Sequence, residues 1–240
     1  MALTNPMANP FFRFKQFTVY HDRCAMKVST DACLFGAWCA EQLAGQQGAA
    51  LDIGTGTGLL SLMIAQETQL QIDAVEIDPA AALQATENRS EAGFSNVSIL
   101  QGDIRTLPLG AYRIIFSNPP FYESELKPAH HGRNVAHHAG GLQWKELFSF
   151  ISEHLQEAGH AFLLLPAKRR RDLEELLGHY GFHSYRLAEV HPTDRQAPAR
   201  LMICFGKKPG VNQYESITIA TAAGYTDRFA ALLKPYYLYL

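Results

Sequence analysis

Cysteine is scarce: Cys24, Cys33, Cys39 and Cys204 are all that 240 residues hold, and no two have CxxC spacing. That excludes a disulfide scaffold and the usual zinc-ribbon pattern, and it leaves structural thiols in a reducing cytoplasm as the expectation. Long hydrophobic runs are missing as well. No window holds 18 uncharged apolar residues, and the start MALTNPMANPFF has no basic stretch followed by an apolar one, so neither a membrane span nor a secretory leader is expected. Nor does one sign of charge dominate. Lys and Arg number 21 against 23 Asp and Glu, a formal net charge of −2, so any contact with RNA has to come from local patches. Repeats and low-complexity segments are absent too. What is present, 47% hydrophobic and 18% charged residues, suits a soluble globular chain with one large domain. Its expected division is an N-terminal extension over 1–45, hairpin and helix, followed by a domain over 46–240.

The chain is organised around Leu51 to Leu60, LDIGTGTGLL. Gly54, Gly56 and Gly58 follow an apolar run and precede LLSLMIAQ, which implies strand, tight turn, helix. Glycine there permits positive φ and lets a ligand approach the main chain without meeting a Cβ. The dinucleotide fingerprint is GxGxxG with pyrophosphate on the helix N-terminus. Here the spacing is GTGTG, with Asp52 two residues ahead. An aspartate facing such a turn would repel a pyrophosphate and attract an ammonium. The methionine end of S-adenosylmethionine offers that ammonium, with a carboxylate for the turn's N–H groups. A bare glycine turn is the alternative.

Two more carboxylates follow at strand ends. QIDAVEID (71–78) reads as a second strand carrying Glu76, about 20 positions beyond the glycines, where an acid accepts from both ribose hydroxyls. NVSILQGD (96–103) reads as a third strand carrying Asp103, an acceptor for an adenine amine, with Ile77 and Ile104 able to sandwich the ring. Each acid alone suits a solvated strand end. Asp52, Glu76 and Asp103 in order at three successive strand ends point to a cofactor site.

Earlier in the chain, residues 1–10 read as a flexible tail and FFRFKQFTVYHD (11–22) as a hairpin or edge strands. Phe12, Phe14 and Phe17 suit packing more than base stacking, although a basic and aromatic strip also holds single-stranded RNA. MKVSTDACLFGAWCAEQLAG starts a helix capped by Ser29 or Thr30. Lys27, Ser29, Thr30 and Asp31 are cap polarity or a lid over the methionine end. Strand and helix alternate from 49 to 103, which means a parallel sheet with right-handed crossovers. YRIIFS (112–117) is a fourth strand. Asn118-Pro119-Pro120-Phe121-Tyr122 follows at its C-terminal end, the edge where open α/β sheets bind ligands. Residues 123–141 are polar and rich in histidine, with no spacing that specifies a metal, so a substrate-side loop is expected. A helix over 142–158, a buried strand over 159–166, a helix opened by Lys168-Arg169-Arg170-Arg171, and strands near 182–190 and 200–208 complete the pattern. Cations are disfavoured at a helix N-terminus, so Lys168, Arg169 and Arg170, with Arg195, are candidate RNA phosphate contacts. The stretch SITIAT, a short helix near 225–233 and KPYYLYL are apolar enough to dock on the body.

Methyl transfer from a sulfonium is an in-line displacement, and it requires mainly alignment and exclusion of water. An aromatic amine is a poor nucleophile because its lone pair is spread into the ring. Acceptors on its two N–H groups draw the nitrogen toward tetrahedral geometry and stabilise the charge developing on it. The Asn118 side-chain oxygen and a main-chain carbonyl at Asn118 or Pro119 are such acceptors. Proline removes a competing N–H and biases Asn118 toward an extended conformation. Phe121 or Tyr122 offers a π face to a base drawn from its stack.

DIGTGTG, Glu76, Gly102-Asp103 and NPPF at 118–121 resemble the motifs of class I S-adenosylmethionine-dependent methyltransferases acting on exocyclic amines. FRFKQF, MKVSTDACLFGAW and the aromatic C-terminus resemble more narrowly the bacterial tRNA1(Val) (adenine(37)-N6)-methyltransferases. Ser29 stands where glycine is expected. The resemblance covers nearly the whole chain. It implies a Rossmann-like α/β fold with a seven-stranded, mostly parallel sheet whose last core strand is antiparallel. It also implies S-adenosylmethionine as donor and Asn118 and Pro119 holding the target amine. The expected protein is a cytoplasmic monomer acting on tRNA, with neither membrane nor metal. Rival readings are transfer to guanine N2 of rRNA or to a protein glutamine, a nicotinamide-dependent oxidoreductase, and an RNA-binding protein without turnover.

Overall fold

A computed structural model of the chain describes residues 9–119 and 142–240. The aromatic N-terminal stretch folds as the expected hairpin: β1 (Phe11–Arg13) and β2 (Thr18–Tyr20) are antiparallel, with Phe11 opposite Tyr20. Phe14 and Phe17 are buried and stacked, ring centres 4.7 Å apart, and Phe12 packs on Phe14 and Tyr237, so these three rings serve packing. The end of the expected tail is tied down, because Asn9 and Pro10 offer their carbonyls to the His21 side chain and main-chain N–H.

α1 (Thr30–Leu43) begins as read, with the Ser29 hydroxyl accepting from the Ala32 N–H at 3.3 Å. It crosses α2 (Leu59–Glu67) closely at Gly36, where a Cβ would meet the Met63 sulfur at 2.8 Å. Between them runs β3 (Gln47–Ile53). Next come β4 (Gln69–Glu76), α3 (Pro79–Ala92), β5 (Val97–Gln101) and β6 (Tyr112–Ser117). α3 carries Pro79 in its first turn behind the Asp78 cap and ends on Gly93 at φ +75°, both for the usual steric reasons.

After the undescribed segment come α4 (Trp144–His154), β7 (Leu155–Pro166), a single 3₁₀ turn (Ala167–Arg169), α5 (Arg170–Tyr180), β8 (His183–Thr193) and β9 (Arg200–Gly206). α4 stops four residues earlier than the sequence suggests because pairing with β6 claims the chain from Leu155. Gly159 sits where that pairing shifts register, and a Cβ there would lie 2.7 Å from the Arg113 carbonyl oxygen.

The main sheet has the order β5-β4-β3-β6-β7-β9-β8, continued by β10 (Gln213–Thr221) and β11 (Gly224–Tyr225). The seven expected strands are all there, and β9 is antiparallel to both neighbours. The two further strands come from the stretch read as a docking tail: β10 runs parallel to β8. Glu215 on β10 fixes it, accepting from the Trp38 indole at 3.2 Å and from Arg228 at 2.7 Å, and Arg228 on α6 (Asp227–Leu233) also grips Glu41. Alternation splits the core between the two faces. Ile114, Phe116, Phe162 and Leu164 pack toward α1 and α2, whereas Ile115, Ala161, Leu163 and Leu165 belong to the cluster holding Phe148, Leu173 and Leu177. β3, β4, β5 and β6 are parallel and end on one edge, at Ile53, Glu76, Gln101 and Ser117.

Candidate functional site

At that edge the glycine turn takes the shape its sequence demands. Gly54, Gly56 and Gly58 have φ of +72°, +56° and +83°. The Gly54 and Thr55 N–H groups both donate to the Val75 carbonyl, folding the turn over β4. Among the described residues a Cβ on Gly54 or Gly56 would meet no atom within 4 Å, which leaves those faces open to a ligand, while a Cβ on Gly58 would lie 3.5 Å from the Ala85 Cβ.

Asp52 differs from its expectation. It does not face the turn openly but is completely buried, with Oδ2 accepting from the Thr55 hydroxyl at 2.6 Å and the Ser61 hydroxyl at 2.7 Å. The reason is Ser61, which the first turn of α2 brings back over the end of β3. Among the described residues Oδ1 has no hydrogen-bond partner, a costly state for a buried carboxylate and one that a cation or a water held by it would relieve. Burial, opposed by those two hydroxyls, raises the carboxyl from 3.8 to about 6. The unfolded chain releases this proton near 3.8, so the group's contribution to stability is full below that pH and is lost as pH rises through about 6. A bound ammonium favours the ionised form and acts in the opposite direction. S-adenosylmethionine binding near pH 6 is therefore expected to release a proton, and affinity to fall as pH drops below about 6. Calorimetry in two buffers of different ionisation enthalpy measures this; no proton release would contradict it.

Glu76 is 8% exposed, and both its oxygens are used: Oε2 accepts from the Gly56 N–H at 2.8 Å and Oε1 from the Asp78 N–H at 2.9 Å. It props the turn, and its remaining lone pairs are what a ribose would meet. Ile77 beside it is 59% exposed, an apolar side chain left for an apolar ligand face, whereas Ile104 is buried. Asp103 lies two residues beyond β5 and is gripped by Arg105 at 2.6–3.0 Å, which holds its carboxyl below the usual range. Arg105 also reaches Glu146, at 3.3 Å. Lys27 and Thr30 are exposed where the chain enters α1, and Asp31 pairs with Arg200 at 3.0 Å, tying that entrance to β9.

Asn118 and Pro119 follow β6 directly. Asp52 and Phe116 are register partners on adjacent parallel strands, and the Ser117 hydroxyl donates to the Ile53 carbonyl at 2.7 Å. The Asn-Pro segment therefore leaves the sheet beside the glycine turn. Asn118 is half-buried and Pro119 buried. Pro120, Phe121 and Tyr122, and the histidine-rich stretch after them, lie outside the described residues.

The basic run is less bare than its sequence implies. Arg169 pairs with Asp172 at 2.9 Å and lies 5.3 Å over the Trp144 ring, and Arg170 pairs with Glu189. These carboxylates relieve the unfavourable cations at the start of α5. Lys168 and Arg195 are exposed. Register places Arg200 opposite Pro166, so the β8–β9 turn that carries Arg195 rises beside Lys168.

Sequence reasoning missed Thr55 and Ser61 as the holders of Asp52. It also missed Gln84 and Asn88, buried amides of α3. The signal was there in both cases: a serine inside an apolar helix, and two amides four apart in an alanine-rich one. Among the described residues no helix is long and apolar enough to cross a membrane, and no cluster of three or more metal-ligating side chains occurs.

An orphan carboxylate oxygen, open glycine faces and an exposed isoleucine beside the acid that ends β4 fit S-adenosylmethionine. A family model, Methyltransferase small domain, matches residues 37–180. Solved structures share the fold: a predicted O-methyltransferase from Agrobacterium tumefaciens (TM-score 0.67, 15% identity, 85% of this chain and 96% of that one). Another is the T. thermophilus 16S rRNA N2 G1207 methyltransferase in complex with AdoMet and guanosine (TM-score 0.56, 19% identity, 82% and 50%). Fold and site thus define a class I methyltransferase. Among curated relatives, the tRNA1(Val) (adenine(37)-N6)-methyltransferase of Parabacteroides distasonis is 36% identical, over 97% of this chain and 99% of its own length. That of Trichodesmium erythraeum is also 36% identical, over 95% and 97%. The chain belongs to the tRNA1(Val) (adenine(37)-N6)-methyltransferase family.

Proposed function

We propose that this chain transfers a methyl group from S-adenosylmethionine to N6 of adenosine 37 in tRNA1(Val). The observation that carries the reading is the fastening of the Asn118-Pro119 segment beside the glycine turn through the Ser117 hydroxyl and Ile53 carbonyl. Gly54 and Gly56 offer main-chain approach, Asp52 a negative charge for the ammonium, Glu76 acceptors for the ribose, and Ile77, Asp103 and Ile104 the adenine environment. S-adenosylmethionine, when bound there, supplies an electrophilic methyl on a sulfonium.

The chain's own residues act on the amine. The Asn118 side-chain oxygen and a carbonyl of Asn118 or Pro119 accept from the two N6–H groups, localising the lone pair and stabilising positive charge as it develops. No strong base is needed, because the proton leaves a nitrogen that has become cationic. Pro119 has no N–H to compete for these acceptors. Phe121 or Tyr122 supplies the surface on which the extruded base stacks. Labelled S-adenosylmethionine offered to the enzyme with bulk tRNA, rRNA and protein is expected to label N6-methyladenosine in tRNA; label in N2-methylguanosine or a glutamine amide would overturn the reading.

Lys168 and Arg195 contact tRNA phosphates in this reading, with Arg169 and Arg170 behind them. Reversing Arg169 or Arg170 would also break their ion pairs, so Arg195 is the cleaner probe. Arg195→Ala is expected to weaken tRNA binding a few-fold and to reduce the salt slope by about 1, measured by filter binding across a salt series. An unchanged slope would remove Arg195 from the interface. A cytoplasmic, monomeric enzyme is the form this reading takes.

A further inference from the structure

α3 carries two fully buried amides one turn apart, Gln84 and Asn88, and both reach partners outside the helix. Asn88 accepts from the Tyr20 N–H at 3.0 Å and donates to the Tyr20 carbonyl and to the Thr57 carbonyl, both at 2.9 Å. Thr57 lies inside the glycine turn, and the turn packs on the same helix through Gly58 and Ala85. One side chain thus fastens the N-terminal hairpin to the cofactor turn. Gln84 accepts from the Arg23 N–H at 3.1 Å and donates to the Asp22 carboxylate at 2.6 Å, and Arg23 grips Glu87 further along α3. Residues 20–23 are held along the helix that begins three residues after Glu76.

The segment leaving this clamp returns on itself. The Val28 N–H donates to His21 Nδ1 at 3.4 Å, which makes 22–27 a short loop closed at its neck. Cys24 in that loop is half-buried, and burial first, then the charges of Glu76, Asp78 and Asp22, push its thiol up to about 11. Asp22 and Arg23, at the start of the loop, are thus held by Gln84 and Glu87 on the helix whose Asp78 cap Glu76 supports through the Asp78 N–H.

From this arrangement we infer that Gln84 and Asn88 are positioning residues for cofactor binding: Asn88 holds the Thr57 carbonyl of the glycine turn, and Gln84 holds the start of the 22–27 loop on the helix whose cap Glu76 supports, forming a fixed wall on the ribose side. The inference rests on S-adenosylmethionine occupying the glycine turn. The wall needs no chemistry of its own. Its effect belongs in the affinity for S-adenosylmethionine and not in the rate of the bound complex.

The Gln84–Asp22 contact offers a test by exchange of partners. Gln84→Glu puts a second carboxylate against Asp22 and should raise the S-adenosylmethionine Kd about tenfold in calorimetry, with kcat at saturating cofactor little changed. The exchange Gln84→Glu with Asp22→Asn restores the hydrogen bond with its direction reversed, and Kd should return to within about twofold of wild type. Asp22→Asn alone should bind normally, and Asp22→Ala should bind about threefold more weakly. If Gln84→Glu does not fold, the Asp22→Ala and Asp22→Asn pair and the exchanged variant decide the matter. A folded Gln84→Glu with wild-type Kd, an exchange without recovery, or equal Kd for Asp22→Ala and Asp22→Asn overturns the inference. Failure of the wild-type enzyme to bind S-adenosylmethionine would overturn instead the cofactor reading beneath it.

Discussion

Asn118→Ala is expected to lower kcat by about a hundred- to a thousandfold while S-adenosylmethionine affinity stays within about threefold. The size follows from removing one preorganised hydrogen-bonding group aimed at charge that forms only in the transition state, about 3–4 kcal/mol. The separation of kcat from Kd follows from position. Asn118 is half-buried at the end of β6, while Phe116, Ser117 and Pro119 around it are buried and the Ser117 hydroxyl is already satisfied by Ile53. Truncating Asn118 leaves those restraints intact, so the fold and the glycine turn should persist. Single-turnover kinetics with calorimetry on the same preparation separates the two quantities. A variant that kept most of its activity would mean that the amine is held by other groups.

Glu76→Ala should act in the opposite manner, weakening S-adenosylmethionine binding about a hundredfold or more. Two losses combine. The ribose acceptor goes, and the Gly56 and Asp78 N–H groups lose the carboxylate that now accepts from them at 2.8 and 2.9 Å, so the turn that should cradle the ligand loosens. Hydrogen bonds to a charged group contribute about 1.5–3 kcal/mol each, and losing more than one of them accounts for the expected size. Glu76→Gln keeps one acceptor oxygen and turns an amide N–H₂ toward the other donor, so it should fall between wild type and alanine. Equal affinity for all three proteins in calorimetry would show that Glu76 neither supports the turn nor meets the ligand.

Features that depend on adjacent residues were legible in the sequence. Glycines at alternate positions after an apolar strand require the backbone that Gly54, Gly56 and Gly58 adopt, and the acid closing β4 is where Glu76 stands. YRIIFS ended where it was read to end, with Asn118 and Pro119 at the ligand-binding edge. Features set by distant partners were not legible. The enclosure of Asp52 depends on Ser61 returning over it from α2. Arg170, the first residue of α5, is committed to Glu189, 19 positions later on β8, so a run of four cations looks more exposed in the sequence than it is in space. β10 is a strand because β8 offers it a free edge and Glu215 meets Trp38 and Arg228. The alternation in SITIAT fits a strand but says nothing of the edge it joins.

The central claim is that this chain methylates N6 of adenosine 37 through Asn118. It is tested most directly by mass spectrometry of the nucleoside at position 37 of tRNA1(Val) from cells lacking the protein, complemented either by wild type or by Asn118→Ala. The account predicts N6-methyladenosine with the wild-type copy and unmodified adenosine with the variant or with neither. Full modification at that position in the uncomplemented cells would contradict it.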